Sequence, residues 1–390
     1  MNNWKKCKLE DICSKITDGS HKSPPSQTSG FPMASVKDME YNQINLNTCR
    51  KISKEDYLEL VASGCQPEIN DILIAKDGSY LKHVFRVRTK EELVLLSSIA
   101  IIRPILEQVC PQFLTYVFKN KRFIEEIETN YVTGAVIPRI VLRDFKEIEI
   151  LLPPLKEQRQ IAAILSSIDD KIELLHEQNK TLEELAQTLF RHYFIENPNP
   201  SWQEKPLSEI ARFLNGLACQ KYPPKNFLDK LPVLKIKELS DGAIGKNSDY
   251  ASSEIADDYI VNSGDVIFSW SATLMVKIWG GEKSVLNQHL FKVSSDKYPK
   301  WFFYYWTKHH LREFITISQA HATTMGHIKR KDLDNAMCKI PKDEYLKKCD
   351  LVISPKIQKI ENNLNQIRTL KNTRDILIPK LLNGEIKINN

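Results

Sequence analysis

Between Leu155 and Phe194, isoleucine and leucine return every three or four residues, at Ile161, Leu165, Ile168, Ile172, Leu175, Leu182 and Leu189. Asn179 and Ala186 occupy the two remaining beats. Steps of four and three in alternation have a mean period of 3.5, which describes a coiled-coil seam rather than one buried face of a globular helix. At 1.5 Å per residue, about 35 helical residues make a rod of roughly 52 Å. Pro153 and Pro154 mark its start, because proline is tolerated only in a helix's first turn. Asn197-Pro198-Asn199-Pro200 stops it, since a residue before proline is pushed out of the helical region. A rod in mid-chain with an apolar seam needs a partner helix, and the sequence has to supply one.

It does so through a repeat. Trp4 to Ile12 opens the chain as a strand-like entry with a turn of helix, followed by a polar loop through His21-Lys22-Ser23. Phe31 to Asp38, Ile69 to Ala75 and Leu95 to Arg103 read as strands. Pro111 to Glu128 has helical spacing with aromatics at Phe113, Tyr116, Phe118 and Phe123, and Ile148 to Leu152 is a last strand before the rod. After the rod the order returns. Trp202 to Ile210 answers Trp4 to Ile12, Val233 to Leu239 answers Ala34 to Met39, and Gly264 to Ser271 answers Asn70 to Asp77. Pro299 to Ile317 answers the aromatic helix, and Thr323 to Leu333 answers Ala135 to Phe145 at an offset of 188. Then Ile353, Ile357, Ile360, Leu364 and Ile367 form a second seam, with Lys371 on its next beat.

The expected architecture is therefore mixed α/β: two similar domains separated by an antiparallel two-helix coiled-coil spacer, pseudo-two-fold symmetric. Its parts are residues 1–153, 154–197, 198–348 and 349–390. For the seams to bury each other, the second rod must run back beside the first. The bland alternative is two unrelated helices, each packed on its own globule.

The totals bound the chemistry. The chain has 390 residues, long enough for two or three cored domains. No stretch reaches the ~18 apolar residues of a membrane span, and the first residues lack the apolar core of a signal peptide, so a cytoplasmic location is expected. Eight scattered cysteines without a Cys-x-x-Cys pair argue against zinc and against a disulfide framework. A formal charge of +6 permits nucleic-acid binding without establishing it. There is no Gly-rich S-adenosylmethionine loop, no Asn/Asp-Pro-Pro-Tyr motif and no phosphate-cradling Gly-x-x-x-x-Gly-Lys-Ser/Thr.

The stretch Leu151 to Leu165, running through Pro153-Pro154 and Lys156-Glu157-Gln158-Arg159, resembles the opening of the central conserved helix in specificity subunits of type I restriction–modification systems. Ile378 to Ile386 resembles that family's C-terminal signature. Gly264 to Thr273 and Val285 to Phe291 are similar to motifs of its target-recognition domains. The likeness covers essentially the whole chain. It implies a sequence-specific DNA-binding subunit in which each target-recognition domain reads one half of a split, asymmetric double-stranded DNA site. The paired helices would act as a ruler and would dock two modification subunits that methylate adenine with S-adenosylmethionine. Restriction subunits would join to translocate and cleave, with ATP and Mg in those partners. The chain itself would bind no cofactor or metal and catalyse nothing.

Bases are read by side chains in the major groove, whereas phosphate contacts position the protein without specifying sequence. The candidates are polar residues on loops that leave strands. In the first copy they are Lys76, Ser79, Tyr80 and Lys82, then Thr133 and Arg139, with His21 to Ser23 a weaker choice. Gly134 to Ile140 resembles the family's Gly-Ala-Thr-Met-Pro-His-Ile loop, with Val136, Ile137 and Arg139 replacing Thr, Met and His. In the second copy the candidates are Ser269, Trp270, Ser271 and Thr273, then Thr324, His327, Lys329 and Arg330. That loop keeps Thr324, Met325 and His327 but has Gly326 where proline stands in the family pattern. Each has a structural rival: a solvated turn for the lysines, a salt bridge for Arg139, a core position for Trp270. Asn179 on the seam either fixes register by pairing across it, or faces a gap or the modification subunit. Two other functions fit less well: the recognition half of a split single-chain restriction enzyme, and a protein-binding adaptor using its aromatic clusters.

Overall fold

The computed structural model describes residues 4–78, 81, 83–133, 139–245, 247–320 and 326–388, with the backbone alone for Val132 and Thr133. Contacts divide the chain into two compact units, one of Met1–Asp170 with Lys371–Asn390 and one of Lys171–Leu370. The partition differs from the four consecutive parts expected, because each unit takes a share of both long helices.

In the first unit, strands Cys13–Asp18, Ile99–Pro104, Ile72–Ala75 and Val84–Arg86 lie in that order in one antiparallel sheet. The inner strand is Ile-Leu-Ile-Ala and wholly buried. Successive side chains of a strand point to opposite faces, so Ile72 and Ile74 enter one core with Ala100 and Ile102, while Leu73 and Ala75 enter a second with Ile99 and Ile101. A sheet covered on both faces is why this segment reads as an unbroken apolar run. Arg50–Ile52, Phe31–Ala34 and Val94–Leu95 form a smaller sheet, and Lys5–Lys8 pairs with Glu149–Leu152. The aromatic segment is two helices, Pro111–Lys119 and Lys121–Tyr131. Asn120 breaks the expected single helix: its backbone is extended and its side chain accepts the Arg122 N–H at 3.2 Å.

The second unit repeats the order. Strands Arg212–Asn215, Leu290–Ser294, Val266–Ser269 and Met275–Ile278 form the equivalent four-stranded sheet. Val266 and Phe268 face one core and Ile267 another. A second sheet joins Tyr250–Ala251, Leu231–Leu234, Ser284–Leu286 and Ile260–Val261. Here the aromatic helix is continuous, Lys300–Ala320, and Phe302 to Trp306 are all buried.

The central helix runs from Leu155 to Phe190 and winds up in a π-helical turn over Arg191–Glu196. The C-terminal helix runs from Asp343 to Leu382. Within the first unit they pack antiparallel: Ile161, Ala162 and Leu165 share a core with Ile378, Leu381 and Leu382, and Asp169 meets Arg374 at 2.7 Å. The Arg374 guanidinium also donates to the Tyr41 hydroxyl, and Tyr116 donates to Asp169 at 2.8 Å. Within the second unit Ala186 and Phe190 share a core with Ile353, Ile357 and Ile360, and Leu182, Leu189 and Leu364 pack against it. Ile172, Leu175 and Ile367 are buried there as well, whereas Ile168 in the first unit is half-buried. Asn363 donates to Asn179 Oδ1 at 2.8 Å, so the seam asparagine pairs across the helices. Asn179 Nδ2 and Asn363 Oδ1 are buried without a partner. Past Ile367 the second seam continues through half-buried Lys371 to Arg374.

Candidate nucleic-acid interface

Each unit brings together two loops that the sequence keeps far apart. In the first, the chain leaves the inner strand at Ala75 and enters Lys76-Asp77-Gly78. Asp77 bridges to Arg139, and the Ile140 N–H donates to the Lys76 carbonyl at 3.1 Å. Arg139 and Ile140 in turn pair with Thr133 and Val132 as a two-stranded ribbon. Arg139 is exposed and Ile140 fully buried, so the ribbon is anchored by one residue and presents the other.

The second unit does the same with different residues. The inner strand ends at Ser269, and Ser271 bridges to His327. The Ile328 N–H donates to the Trp270 carbonyl at 3.1 Å, and the Ala272 N–H to Gly326 at 2.9 Å. His327 is exposed above buried Ile328, matching Arg139 above Ile140. Gly326 occupies a tight place: a Cβ there would lie 2.5 Å from Ser318 Oγ and 2.7 Å from the Ser318 carbonyl oxygen. Close passage over the preceding helix therefore explains the glycine where the resemblance expects proline.

Three expected contact residues turn inward instead. Lys76 is 7% exposed, its ammonium 3.3 Å from both Asp18 and Asp77. Buried charge is tolerated only when paired, and these carboxylates supply the pairing. Ser269 is fully buried, its hydroxyl 3.3 Å from the Ser271 carbonyl. Ser271 is 3% exposed, its Oγ 3.1 Å from His289 Nδ1. All three hold the loop's shape. Trp270 is half-buried: its indole N–H donates to Asn215 at 3.0 Å, and its ring lies among Phe291, His289 and His327.

Thr273, Lys329, Arg330 and Lys331 are exposed beside His327. Lys329 precedes the helix Arg330–Asn335, where its backbone N–H donates to Asp332 at 2.7 Å, which sets the direction of the basic run. His21, exposed, lies 3.4 Å from Asp18. Ser79, Tyr80, Lys82 and Thr324 lie outside the described residues, as does the side chain of Thr133. Sequence reasoning missed Asp18 and Asn215, which pin the two loops. Their only signal is their equivalent place at the end of each copy's first sheet strand. Among the described residues no cluster of His, Cys, Asp and Glu suits a metal ion, and no helix is long and apolar enough to cross a membrane.

The exposed groups are basic or polar, and Arg139 and His327 hold equivalent places in the two copies. Such a set offers donors to base edges and phosphates.

Comparison with known proteins agrees. The model of the type I restriction modification DNA specificity domain matches residues 1–184 and again 199–373. The MjaIX type I restriction enzyme specificity subunit of Methanocaldococcus jannaschii is 30% identical over 305 residues, which span 72% of this chain and 70% of that one. The EcoBI specificity subunit of Escherichia coli is 28% identical over 145 residues, 36% of this chain and 29% of that one. A solved type I restriction–modification S subunit from M. genitalium superimposes with a TM-score of 0.56 at 17% identity, covering 97% of this chain and 96% of that chain, and so shares the fold. This chain belongs to the type I restriction–modification specificity subunits, non-catalytic proteins that recognise DNA.

Proposed function

We propose that the chain reads a bipartite, asymmetric DNA site, with the first unit reading one half through Arg139 and its neighbours. The second unit reads the other through His327, Thr273, Lys329 and Arg330. The observation that carries this is the duplicated junction: in each unit the loop leaving the inner strand is bridged to an exposed basic residue standing over a buried isoleucine. The residues at the two junctions differ, so the two half-sites differ. The paired helices dock two modification subunits, which methylate adenine with S-adenosylmethionine. Restriction subunits, with ATP and Mg, join that complex in the cytoplasm.

Mapping methylated adenines in cells carrying the chain with its modification subunit tests the reading. A split motif with a fixed gap is expected. Arg139→Ala should relax or abolish one half of the motif, and His327→Ala the other. Both changes acting on the same half, or a continuous motif, would overturn it.

A further inference from the structure

In the first unit, a cleft of about 400 Å³ opens between the outer sheet strand and the central helix. Three guanidiniums line it, from Arg86, Arg88 and Arg159, with Asp170 as the one carboxylate in its wall among the described residues. Arg88 takes up Asp170 at 3.4 Å. Arg86 is held from behind by two neutral acceptors, Gln112 Oε1 and Asn70 Oδ1, each at 2.9 Å. Burial and the neighbouring Arg88 guanidinium both push the Arg86 pKa down, with Asp170 opposing. A half-buried guanidinium fixed by amides and flanked by a second cation favours an incoming anion, and a planar fork suits a carboxylate. The helix wall of the cleft is Ala162, Ala163 and Ser166, small residues that leave room for a side chain to lie against the backbone.

The position of the cleft selects its occupant. Arg86 pairs with Ile72 at one end of the hairpin whose other end, past Ala75, is the junction with Arg139. DNA held at that junction lies at the opposite end of the strands.

We propose that this arginine cleft receives an acidic side chain of the modification subunit that docks on the central helix. The inference rests on the docking reading above and names the chemistry of one of its contacts.

The test uses the full-length chain and its modification subunit, with affinity measured by titration and DNA binding measured in parallel. Arg86→Glu with Arg159→Glu should weaken binding of the modification subunit at least tenfold and leave DNA affinity within about twofold. Ala163→Trp, at an exposed helix position, should block the cleft with the same effect and without touching a charge. Unchanged thermal unfolding of Ala163→Trp certifies the fold. Reversing one acidic residue of the modification subunit to lysine should restore binding to the double glutamate variant. Binding indifferent to both variants would sink the cleft proposal alone. Loss of DNA affinity with the subunit still bound would make the cleft a phosphate site and overturn the proposal. No binding of the modification subunit to the wild-type chain would end the docking reading itself.

Discussion

Trp270 donates its indole N–H to Asn215 at 3.0 Å at the place where, in the first unit, the Lys76 ammonium lies 3.3 Å from Asp18. Both links tie the residue that leaves the inner strand to the end of the sheet's first strand. One is a buried ion pair and the other an aromatic–amide hydrogen bond. The same architectural tie is thus built from two chemistries, and the two should fail differently. Lys76→Ala leaves Asp18 nearly buried and short of a cation, a loss of about 3 kcal/mol. Trp270→Phe removes one partly exposed hydrogen bond, about 1 kcal/mol. Denaturant unfolding of the two variants should show the larger midpoint shift for Lys76→Ala.

The Asp169–Arg374 pair should be strongly coupled. At the corresponding places of the second copy stand Ile357 and Ala186, which share an apolar core. Asp169→Ala alone leaves the buried Arg374 guanidinium to Asp375 and takes this acceptor from the Tyr116 hydroxyl, for a cost of about 2–3 kcal/mol. Asp169→Ile with Arg374→Ala, which copies the second unit, should cost clearly less than either single change. A double-mutant cycle read by thermal unfolding measures the difference.

Asn179 and Asn363 give the converse case. Each leaves a buried polar atom unpaired, so removing both amides should remove two penalties at once. The corresponding residues of the repeat are Ile367 and Leu175. Asn179→Ile with Asn363→Leu should therefore stabilise by about 1–2 kcal/mol, while either change alone destabilises. An unchanged or lower melting temperature for the double variant would contradict this.

Gly78 and Ala272 occupy equivalent turn positions with φ of 68° and 53°. A left-handed backbone costs a residue with a Cβ about 1 kcal/mol. Among the described residues nothing lies within 4 Å of a Cβ at Gly78, so the expected effect is that of backbone strain. Gly78→Ala should destabilise by about 1 kcal/mol, and Ala272→Gly should gain a few tenths. Equilibrium denaturation resolves both signs.

Lys119 supplies a pH signature. Burial pushes its ammonium down from 10.5 to about 8, with Asp169 opposing and the Arg374 and Arg88 guanidiniums reinforcing. The unfolded chain therefore binds the extra proton between about 8 and 10.5, and this group's contribution to stability rises as pH climbs through that window. Lys119→Met should melt about 2–4 °C above wild type at pH 7, less the lost stacking over Tyr41 at 4.4 Å. That advantage should vanish by pH 10.5 in melting curves taken across the series.

The long helices and the repeat were legible because a periodic apolar pattern reports local geometry. Ile72 to Ala75 was legible for the same reason, as an unbroken run that only a doubly covered strand explains. What escaped was set by partners distant in the chain. Lys76-Asp77-Gly78 has the composition of a solvated turn, and only Asp18 draws the lysine inside. Asn120 looked like one more helical residue, yet its side chain caps the next helix. The meeting of the Ala75 and Arg139 loops depends on strand pairing that no local pattern encodes. His327 and Arg139 stand out in the sequence because their loops resemble a known motif, whereas Asp18 and Asn215 belong to none.

The first unit is completed by residues 371–390. On the ribosome, everything from Met1 to Asp170 emerges early yet waits for residues 371–382 before Ile378, Leu381 and Arg374 can close its core. All the residues of the second unit precede them. Translation thus delivers the later-encoded unit's final piece before that of the earlier-encoded one, and a stop codon at position 371 would damage the first unit while leaving every residue of the second in place.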